Sequence, residues 1–192
     1  MTMNNYLIRT IDCLIAFLGL IVTFPILLIV TIVGYFDTGS PIFMQSRVGK
    51  NKKSFTLIKF RTMNVETKSV ASHLASRASI TKLGAFLRKT KIDELPQLIN
   101  VVKGEMSLVG PRPNLFNQAE LMMERDALGV YDVLPGVTGL AQVNNIDMAT
   151  PKLLAETDKK MITTLSLRHY FKYIIMTVTG SGTGDAIDTK GK

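Results

Sequence analysis

The feature that most constrains this chain is a run of 24 residues without a charged side chain. The run extends from Cys13 to Phe36 and lies between Asp12 and Asp37. A continuous helix of that length rises about 36 Å, which exceeds the roughly 30 Å hydrocarbon core of a bilayer. Because no small-residue cleavage pattern follows the run, we expect a retained membrane anchor and not a signal peptide.

Pro25 divides this run into two halves of 12 residues. Proline lacks the amide hydrogen that an interior helical position donates, so a kink or a break is expected there. A broken helix would enter and leave the membrane on the same face. Spanning helices also tolerate a single proline. The residues alone favour the spanning helix and leave both topologies open.

Charge is concentrated in the middle of the chain. Residues 47–103 carry thirteen Lys or Arg against three acidic side chains, a net charge of +10, whereas residues 1–46 and 104–192 each carry −1. A basic block directly after an anchor indicates anionic headgroups of membrane lipids or a phosphate-bearing substrate. Aromatic residues make up only 7% of the chain, and no zinc-finger spacing is present. Nucleic acid is therefore not an expected partner.

The pattern after the anchor predicts an α+β, mostly helical fold with a short β-hairpin. Two apolar runs on either side of Gly49–Asn51 form the expected hairpin, with sequences PIFMQSRV and SFTLIKFRTM. In the second run, the strand period of two places Lys59 and Arg61 on the same face. That pair is either a solvated strand edge or an anion site.

The predicted organisation is an anchor over 1–40, a single domain over 41–180 and a flexible tail over 181–192. A polar segment over 64–79 reads as a loop or a weak helix. It is followed by a basic amphipathic helix whose apolar positions run from Ile80 to Leu87. Such a helix beside an anchor lies on the membrane surface or packs on the domain.

The densest stretch of chemistry-bearing residues is KIDELPQLINVVKGEMSLVGPRP, from Lys91 to Pro113. Asp93 and Glu94 precede Pro96, a pattern typical of a helix start, with Asp93 as cap. The same position stabilises an anionic carboxylate and attracts phosphate, so Asp93 is also a candidate nucleophile. Arg112 stands between two prolines, in a stiff turn that favours bidentate phosphate recognition or a structural ion pair.

The last third of the chain holds weaker signals. A tight turn is predicted over Pro135–Gly139, where Thr138 and the nearby Gln142 are candidate ligand-binding residues. We expect a helix capped by Asn114, another opening at Thr150–Pro151, and an amphipathic helix ending at Gly180.

Three long strings resemble one protein family. They are RVGKNKKSFTLIKFRTM, LRKTKIDELPQLINVVKGEMSLVGPRP and LPGVTGLAQVNN, and they closely resemble the monotopic phosphoglycosyl transferases, a group of bacterial sugar transferases. The resemblance runs from the anchor to about Asn145. It implies a single re-entrant membrane helix, broken at Pro25, with a small membrane-associated catalytic domain and interfacial helices on the cytoplasmic face of the bacterial inner membrane.

The resemblance also implies a reaction. A phosphosugar passes from a UDP-sugar to polyprenyl (undecaprenyl) phosphate with Mg²⁺, and UMP is released, as the first membrane step of glycoconjugate assembly. Asp93 attacks the β-phosphate and carries the covalent intermediate, and Asp93 and Glu94 hold the metal. The expected substrate-binding residues are Lys59, Arg61, Arg88, Gln97, Arg112, Thr138 and Gln142.

Two other functions remain open from the residues. One is a direct glycosyltransferase to lipid phosphate that releases UDP. The other is a non-catalytic, membrane-anchored module that binds anions. The chain has Leu140 and no Trp where family members often carry aromatic side chains. The sequence therefore leaves open the sugar, and it also leaves open the oligomeric state.

Overall fold

The computed structural model of this chain describes residues 3–67 and 79–180. Most of the polar segment predicted over 64–79 and the tail predicted over 181–192 lie outside the described residues. The described fold is mostly helical, with two small two-stranded sheets. This agrees with the predicted α+β class.

Helix α1 (Met3–Thr38) contains the whole uncharged run. It continues through Pro25, so the proline does not end the helix. Residues 6–38 are long and apolar enough to cross a membrane, and only 11% of the most apolar window is buried against the protein. The exposed side chains are large and apolar, including Phe17, Val22 and Leu28. Such a surface is stable in lipid and costly in water.

The first turns of α1 carry two charged residues that reach into the domain. Arg9 donates to the carbonyl oxygens of Val101 at 2.6 Å and Met106 at 3.1 Å. Asp12 is buried and its Oδ1 accepts from the Leu108 amide at 2.8 Å and the Tyr170 hydroxyl at 2.6 Å. Burial and the Asp12 carboxylate raise the pKa of Tyr170 well above its usual range. These bonds fasten the start of α1 to the domain.

The predicted hairpin is present. Strand β1 (Ile42–Val48) pairs antiparallel with β2 (Ser54–Phe60), and a 3-10 turn over Lys50–Lys52 connects them. Phe55 and Leu57 on β2 are buried, as is Phe60 at its end. The face that carries Phe55 and Leu57 packs on the main core, as the alternation of apolar residues predicts, and Phe60 on the other face packs in a second cluster.

The basic amphipathic helix is α2 (Lys82–Thr90), capped by Thr81, whose hydroxyl accepts from the Gly84 amide at 2.9 Å. A 3-10 turn over Ile92–Glu94 follows, and then α3 (Gln97–Lys103), which ends at Gly104 with φ of 86°. The predicted cap of α3, Asp93, is therefore wrong by three residues, since the residue at the cap position is Pro96. Asp93 does not cap α3, because its side chain lies in the preceding turn.

A second, parallel sheet joins distant parts of the chain. Strand β3 (Ser107–Val109) pairs with β4 (Gly136–Thr138), where the sequence predicted only a turn. A Cβ at Gly136 would lie 2.0 Å from the Gly110 amide nitrogen, so only glycine allows this close approach. The Gly136 amide also donates to the Pro111 carbonyl at 2.9 Å, which brings the loop after β3 beside the start of β4.

Four further helices complete the described fold: α4 (Ala119–Ala127), α5 (Leu140–Val143), α6 (Pro151–Thr164) and α7 (Leu167–Val178). The predicted helix opening at Pro151 is confirmed. Asn114 does not cap a helix, since α4 begins five residues later and Asn114 is buried in a polar cluster. The main core collects side chains from α1, β2, α3 and α7, among them Ala16, Leu57, Val101 and Tyr170.

Candidate active site

The acidic pair lies in a buried turn between two basic elements. Asp93 is 2% exposed and Glu94 is 7% exposed. The turn begins at Lys91, which adopts φ of 58° and ends α2. Carboxylates this enclosed need cations or hydrogen-bond donors around them.

Asn100 fixes where this turn lies. Its side chain is fully buried and bonds to the open edge of β2, accepting from the Ile58 amide at 3.1 Å and donating to the Thr56 carbonyl at 2.7 Å. Asn100 thus continues the ladder of β2 in place of another strand. This bond holds α3 against β2 and brings the acidic turn to the strand that carries Lys59.

Arg112 faces the acidic pair from the loop after β3. Its Nη2 lies 2.7 Å from Oε1 of Glu94, and the carboxylate is almost completely buried. The two residues are 18 positions apart in sequence. The ion pair joins the acidic turn to the rigid proline-flanked loop. A structural ion pair was one of the two roles predicted for Arg112.

A buried polar network holds the Arg112 loop from behind. Arg125 on α4 is 1% exposed and donates to Asp158 Oδ2 on α6 at 2.7 and 3.0 Å. The same guanidinium donates to the Arg112 carbonyl at 2.8 Å and to Asn114 Oδ1 at 3.0 Å. Tyr131 donates its hydroxyl to the same Asn114 oxygen at 3.0 Å. One guanidinium therefore ties two helices to the loop.

A group of basic side chains converges beside Arg112, which we call the cationic cluster. A cavity of about 10 Å³, about the size that holds one water, is lined by Arg47, Lys59, Gln97 and Arg112. Arg47 is buried and donates to the Pro113 carbonyl at 3.1 Å. The sequence predicted Lys59, Arg112 and the neutral Gln97 at this cavity, and Arg47 is the addition. Three positively charged side chains around one cavity make the local potential positive, which favours an anion there.

A much larger cavity, which we call the apolar cleft, lies on the other side of Glu94. Its volume is about 940 Å³. Its polar end is formed by residues 88–91 and by Glu94. The predicted substrate-binding residue Arg88 therefore lines this cleft. Arg88 Nε donates to Thr62 Oγ1 at 2.8 Å. Thr138 also lines the cleft, and its hydroxyl shares a hydrogen bond with that of Thr177.

Lys91 lies at the polar end of the cleft, and its pKa is lowered. Burial lowers the pKa of Lys91; the Glu94 carboxylate opposes that shift and the Arg112 guanidinium adds to it. Its ammonium donates to the Thr177 carbonyl at 3.4 Å. Part of the positive charge at the end of the cleft is thus held in a desolvated position.

Two predicted residues lie outside both cavities. Arg61 donates through Nε to the Ser40 carbonyl at 2.8 Å, so it fastens the turn between α1 and β1. Both Arg61 and Lys59 face the ring of Phe43, at 5.3 and 5.6 Å, which agrees with their predicted common direction. Gln142 on α5 points its Nε2 toward the Gly110 carbonyl at 3.4 Å.

The acidic pair fits a Mg²⁺ ion that takes only one or two of its ligands from the protein. Among residues 3–67 and 79–180, no three His, Cys, Asp or Glu side chains converge as a metal cage. Mg²⁺ is commonly held by one or two carboxylates together with water and substrate phosphates. Asp93 and Glu94 are adjacent in the buried turn, and Glu94 pairs with Arg112 of the cationic cluster, so these two residues fit that smaller set of ligands.

Comparison with known proteins identifies the family. The sequence profile described as bacterial sugar transferase matches residues 3–183, which is nearly the whole chain. The chain belongs to the bacterial sugar transferase family. The resemblance inferred from the sequence strings is thereby confirmed.

Individual relatives agree with this assignment. An uncharacterized sugar transferase of Bacillus subtilis is 45% identical over 137 residues, 71% of this chain and 67% of the relative. An uncharacterized sugar transferase of Haemophilus influenzae is 43% identical, over 77% of this chain and 35% of that protein. UDP-glucose:undecaprenyl-phosphate glucose-1-phosphate transferase of Escherichia coli is 38% identical, over 73% of this chain and 32% of that protein. The chain spans about a third of the two longer relatives.

Several site residues escaped sequence reasoning. Asn100, Arg125 and Asp158 act through partners 11 to 44 positions away. No local pattern distinguishes them from surface residues of a helix. The only available signal was that Arg125 and Asp158 stand in otherwise amphipathic helices at positions that turn inward.

Proposed function

We propose that this sugar transferase moves a phosphosugar from a UDP-sugar to undecaprenyl phosphate and releases UMP. The observation that carries the proposal is that the buried Glu94, next to Asp93 in the same turn, lines the apolar cleft and pairs with Arg112 of the cationic cluster. Phosphoryl transfer needs cations around the phosphates and an aligned nucleophile. The name of the Escherichia coli relative, UDP-glucose:undecaprenyl-phosphate glucose-1-phosphate transferase, describes the same type of transfer.

In the proposed mechanism Asp93 is the nucleophile. A carboxylate oxygen of Asp93 attacks the β-phosphorus, the bond from that phosphorus to the bridging oxygen breaks, and UMP leaves with the bridging oxygen. The sugar phosphate is then bonded to Asp93 as an acyl phosphate. An oxygen of the lipid phosphate attacks the same phosphorus and displaces the carboxylate, which restores Asp93.

The other site residues position and neutralise the phosphates. Arg112 and Lys59 in the cationic cluster bind phosphate oxygens of the donor, and Arg88 binds phosphate at the end of the cleft. Asp93 and Glu94 would hold Mg²⁺, which supplies electrostatic stabilisation of the phosphate charge when bound. The ion pair with Arg112 holds the Glu94 carboxylate at this point.

We further propose that α1 enters and leaves the membrane on the cytoplasmic face. Ile8 and Ile15 pack on the main core, and Leu27 and Val30 pack on a second cluster that contains Phe60. Along a helix, Ile8 and Val30 are about 33 Å apart, more than the hydrocarbon core. One small domain touches both, so a re-entrant helix explains the contacts better than a spanning one.

The reaction is tested with a panel of UDP-sugars, undecaprenyl phosphate and Mg²⁺. We expect UMP as the nucleotide product. Without acceptor, intact mass of the enzyme should rise by one phosphosugar, and peptide mapping should place it on Asp93. Asp93→Asn should abolish both signals, while Asp126→Asn, on an exposed carboxylate, should keep them. UDP as product, or full turnover by Asp93→Asn, would refute the mechanism.

Topology has its own experiment. In a Cys13→Ala background, Asn4→Cys is labelled with a membrane-impermeant maleimide in intact cells and in inverted vesicles. We expect labelling from the cytoplasmic side alone. Labelling from the periplasmic side would refute the re-entrant helix and support a spanning α1.

A further inference from the structure

Hydrogen bonds to four consecutive backbone carbonyls hold the loop that presents Arg112. The loop covers residues 111–114 and contains Pro111 and Pro113, which have no amide hydrogen to donate. Each of the four carbonyl oxygens accepts a hydrogen bond from another part of the chain. In loop order the donors are the Gly136 amide at 2.9 Å, Arg125 Nη1 at 2.8 Å, Arg47 Nη1 at 3.1 Å and the Val48 amide at 2.9 Å. The backbone on both sides of Arg112 is therefore fixed by β1, α4 and β4.

Arg47 is the side chain that ties this loop to the hairpin. It is buried on β1, and its Nη2 donates to Gln45 Oε1 at 2.6 Å while its Nη1 donates to the Pro113 carbonyl. Gln45 is also buried and lies two residues earlier on the strand, so both side chains are on the same face of β1. The Gln45 amide thus sets the direction of the guanidinium, and the guanidinium fixes the residue after Arg112.

Arg47 has two possible roles in this place. One is to supply charge, because Arg47, Lys59 and Arg112 line the same cavity. The other is to hold the loop. A lysine serves the first role but not the second, since a single ammonium replaces a planar guanidinium whose two terminal nitrogens bond to different acceptors. The two bonds, at 2.6 and 3.1 Å, favour the second role.

We propose that Arg47, oriented by Gln45, is a positioning residue that holds Arg112 where it binds the diphosphate of the UDP-sugar. The proposal rests on the proposed function, in which Arg112 binds phosphate oxygens of the donor. The ion pair of Arg112 with Glu94, at 2.7 Å, depends on the same placement of the loop. Phosphoryl transfer is sensitive to such placement, because its catalysis consists largely of positioned charges.

The first test compares variants by kcat/KM for the UDP-sugar, at a temperature well below the melting temperature of each. Arg47→Lys and Gln45→Leu should each lower kcat/KM about tenfold or more, the size of one lost hydrogen bond to a charged group. Ser46→Ala is the matched control, since Ser46 lies between the two residues, is exposed, and bonds to Ser54 at 2.8 Å. An unchanged kcat/KM for either variant, or an equal fall for Ser46→Ala, would overturn the proposal.

The second test needs no turnover. Hydrogen–deuterium exchange of the full-length protein in detergent reports on the Gly136 amide, which donates to the same loop from β4. We expect faster exchange at Gly136 in Arg47→Lys and Gln45→Leu, and the exchange of the unmodified protein in Ser46→Ala. Unchanged exchange in the first two variants would overturn the proposal, because the loop would then be held without Arg47.

Affinity for UDP with Mg²⁺ separates this proposal from the proposed function. UDP carries the diphosphate of the donor, and its Kd should rise about tenfold in Arg47→Lys and stay constant in Ser46→Ala. If the unmodified protein bound UDP in this way but released no UMP from any UDP-sugar, the proposed function would fail and the role of Arg47 would stand. Faster exchange at Gly136 with an unchanged Kd for UDP would mean that Arg47 only stabilises the fold, which would overturn the proposal.

Discussion

Replacing Arg125 by Met tests whether the buried network behind the Arg112 loop stabilises the fold. Arg125 makes two bonds to Asp158, one to the Arg112 carbonyl and one to Asn114, all at 3.0 Å or less. Arg125→Met removes all four and leaves the Asp158 carboxylate buried without its countercharge. Breaking a buried pair from one side costs about 3–5 kcal/mol. For a chain of this length, that corresponds to a fall in melting temperature of about 6 to 20 °C.

The control for this variant is the exposed ion pair made by the next residue, Asp126. Lys52 and Asp126 form an ion pair at 2.9 Å, and about half of each side chain is exposed. Lys52→Met should cost less than about 1 kcal/mol. The double variant Arg125→Met/Asp158→Leu removes both buried charges and should recover most of the lost stability. Thermal unfolding in one detergent compares all four proteins. A fall for Arg125→Met no larger than that for Lys52→Met would refute the reasoning.

Activity separates the two roles of Arg125. The double variant still lacks the donor to the Arg112 carbonyl, so we expect its kcat for UMP release to stay below that of the unmodified enzyme even when its melting temperature recovers. Recovery of both quantities would mean that Arg125 stabilises the fold without positioning Arg112.

The same network sets a pH dependence with a defined sign. Burial raises the pKa of Asp158 above its ordinary value of 3.8, and the Arg125 charge opposes this shift. The folded state therefore binds the proton more tightly, and this stabilisation is full below pH 3.8 and is lost as pH rises through the folded pKa. In Arg125→Met the opposing charge is absent, so the free energy of unfolding should fall over a wider pH range, by at most about 1.4 kcal/mol per pH unit. An unchanged slope would contradict this assignment.

Two further substitutions test close contacts. Gly84→Ala would put a Cβ 2.1 Å from the Thr62 carbonyl oxygen, so α2 must shift, and we expect a loss of about 1–3 kcal/mol in thermal unfolding; a neutral result would mean that α2 moves freely. Tyr170→Phe removes the 2.6 Å bond to Asp12 and should cost about 1–2 kcal/mol while leaving the start of α1 docked, which limited proteolysis of the N-terminus would show. Rapid cleavage there would mean that this hydroxyl is required for docking.

Local signals predicted the elements whose causes are local. The hairpin followed from alternation around a turn, α6 from Thr150–Pro151, and the end of α3 from Gly104. The predictions for the start of α3 and for Asn114 as a helix cap were wrong because hydrogen bonds between distant segments decided both. The Asp93 turn packs against β2, where Asn100 bonds to the strand edge. The side chain of Asn114 accepts a hydrogen bond from Arg125. A capping pattern in sequence cannot outweigh such buried bonds.

The candidate site likewise has a part that the sequence predicted and a part that depends on tertiary contacts. The acidic pair and Arg112 stood out in sequence because they lie beside prolines, Lys59 was predicted from the strand period, and Arg88 was expected only from the family resemblance. Arg61 carries the same charge but bonds to Ser40 at the end of α1. Residue type and spacing therefore indicated the kind of chemistry. The assignment of each cation to the cleft, the cluster or the anchor required three-dimensional contacts.

The sequence by itself determined an apolar anchor, a basic block and an acidic pair next to a stiff arginine loop, since each depends on composition or on residues a few positions apart. Only the tertiary structure decided that Asp12 and Arg9 dock into the domain, that Glu94 meets Arg112 across 18 positions, and that a cleft opens between α1 and α7. Those features depend on contacts between distant segments, which form only when apolar burial brings the helices and strands together.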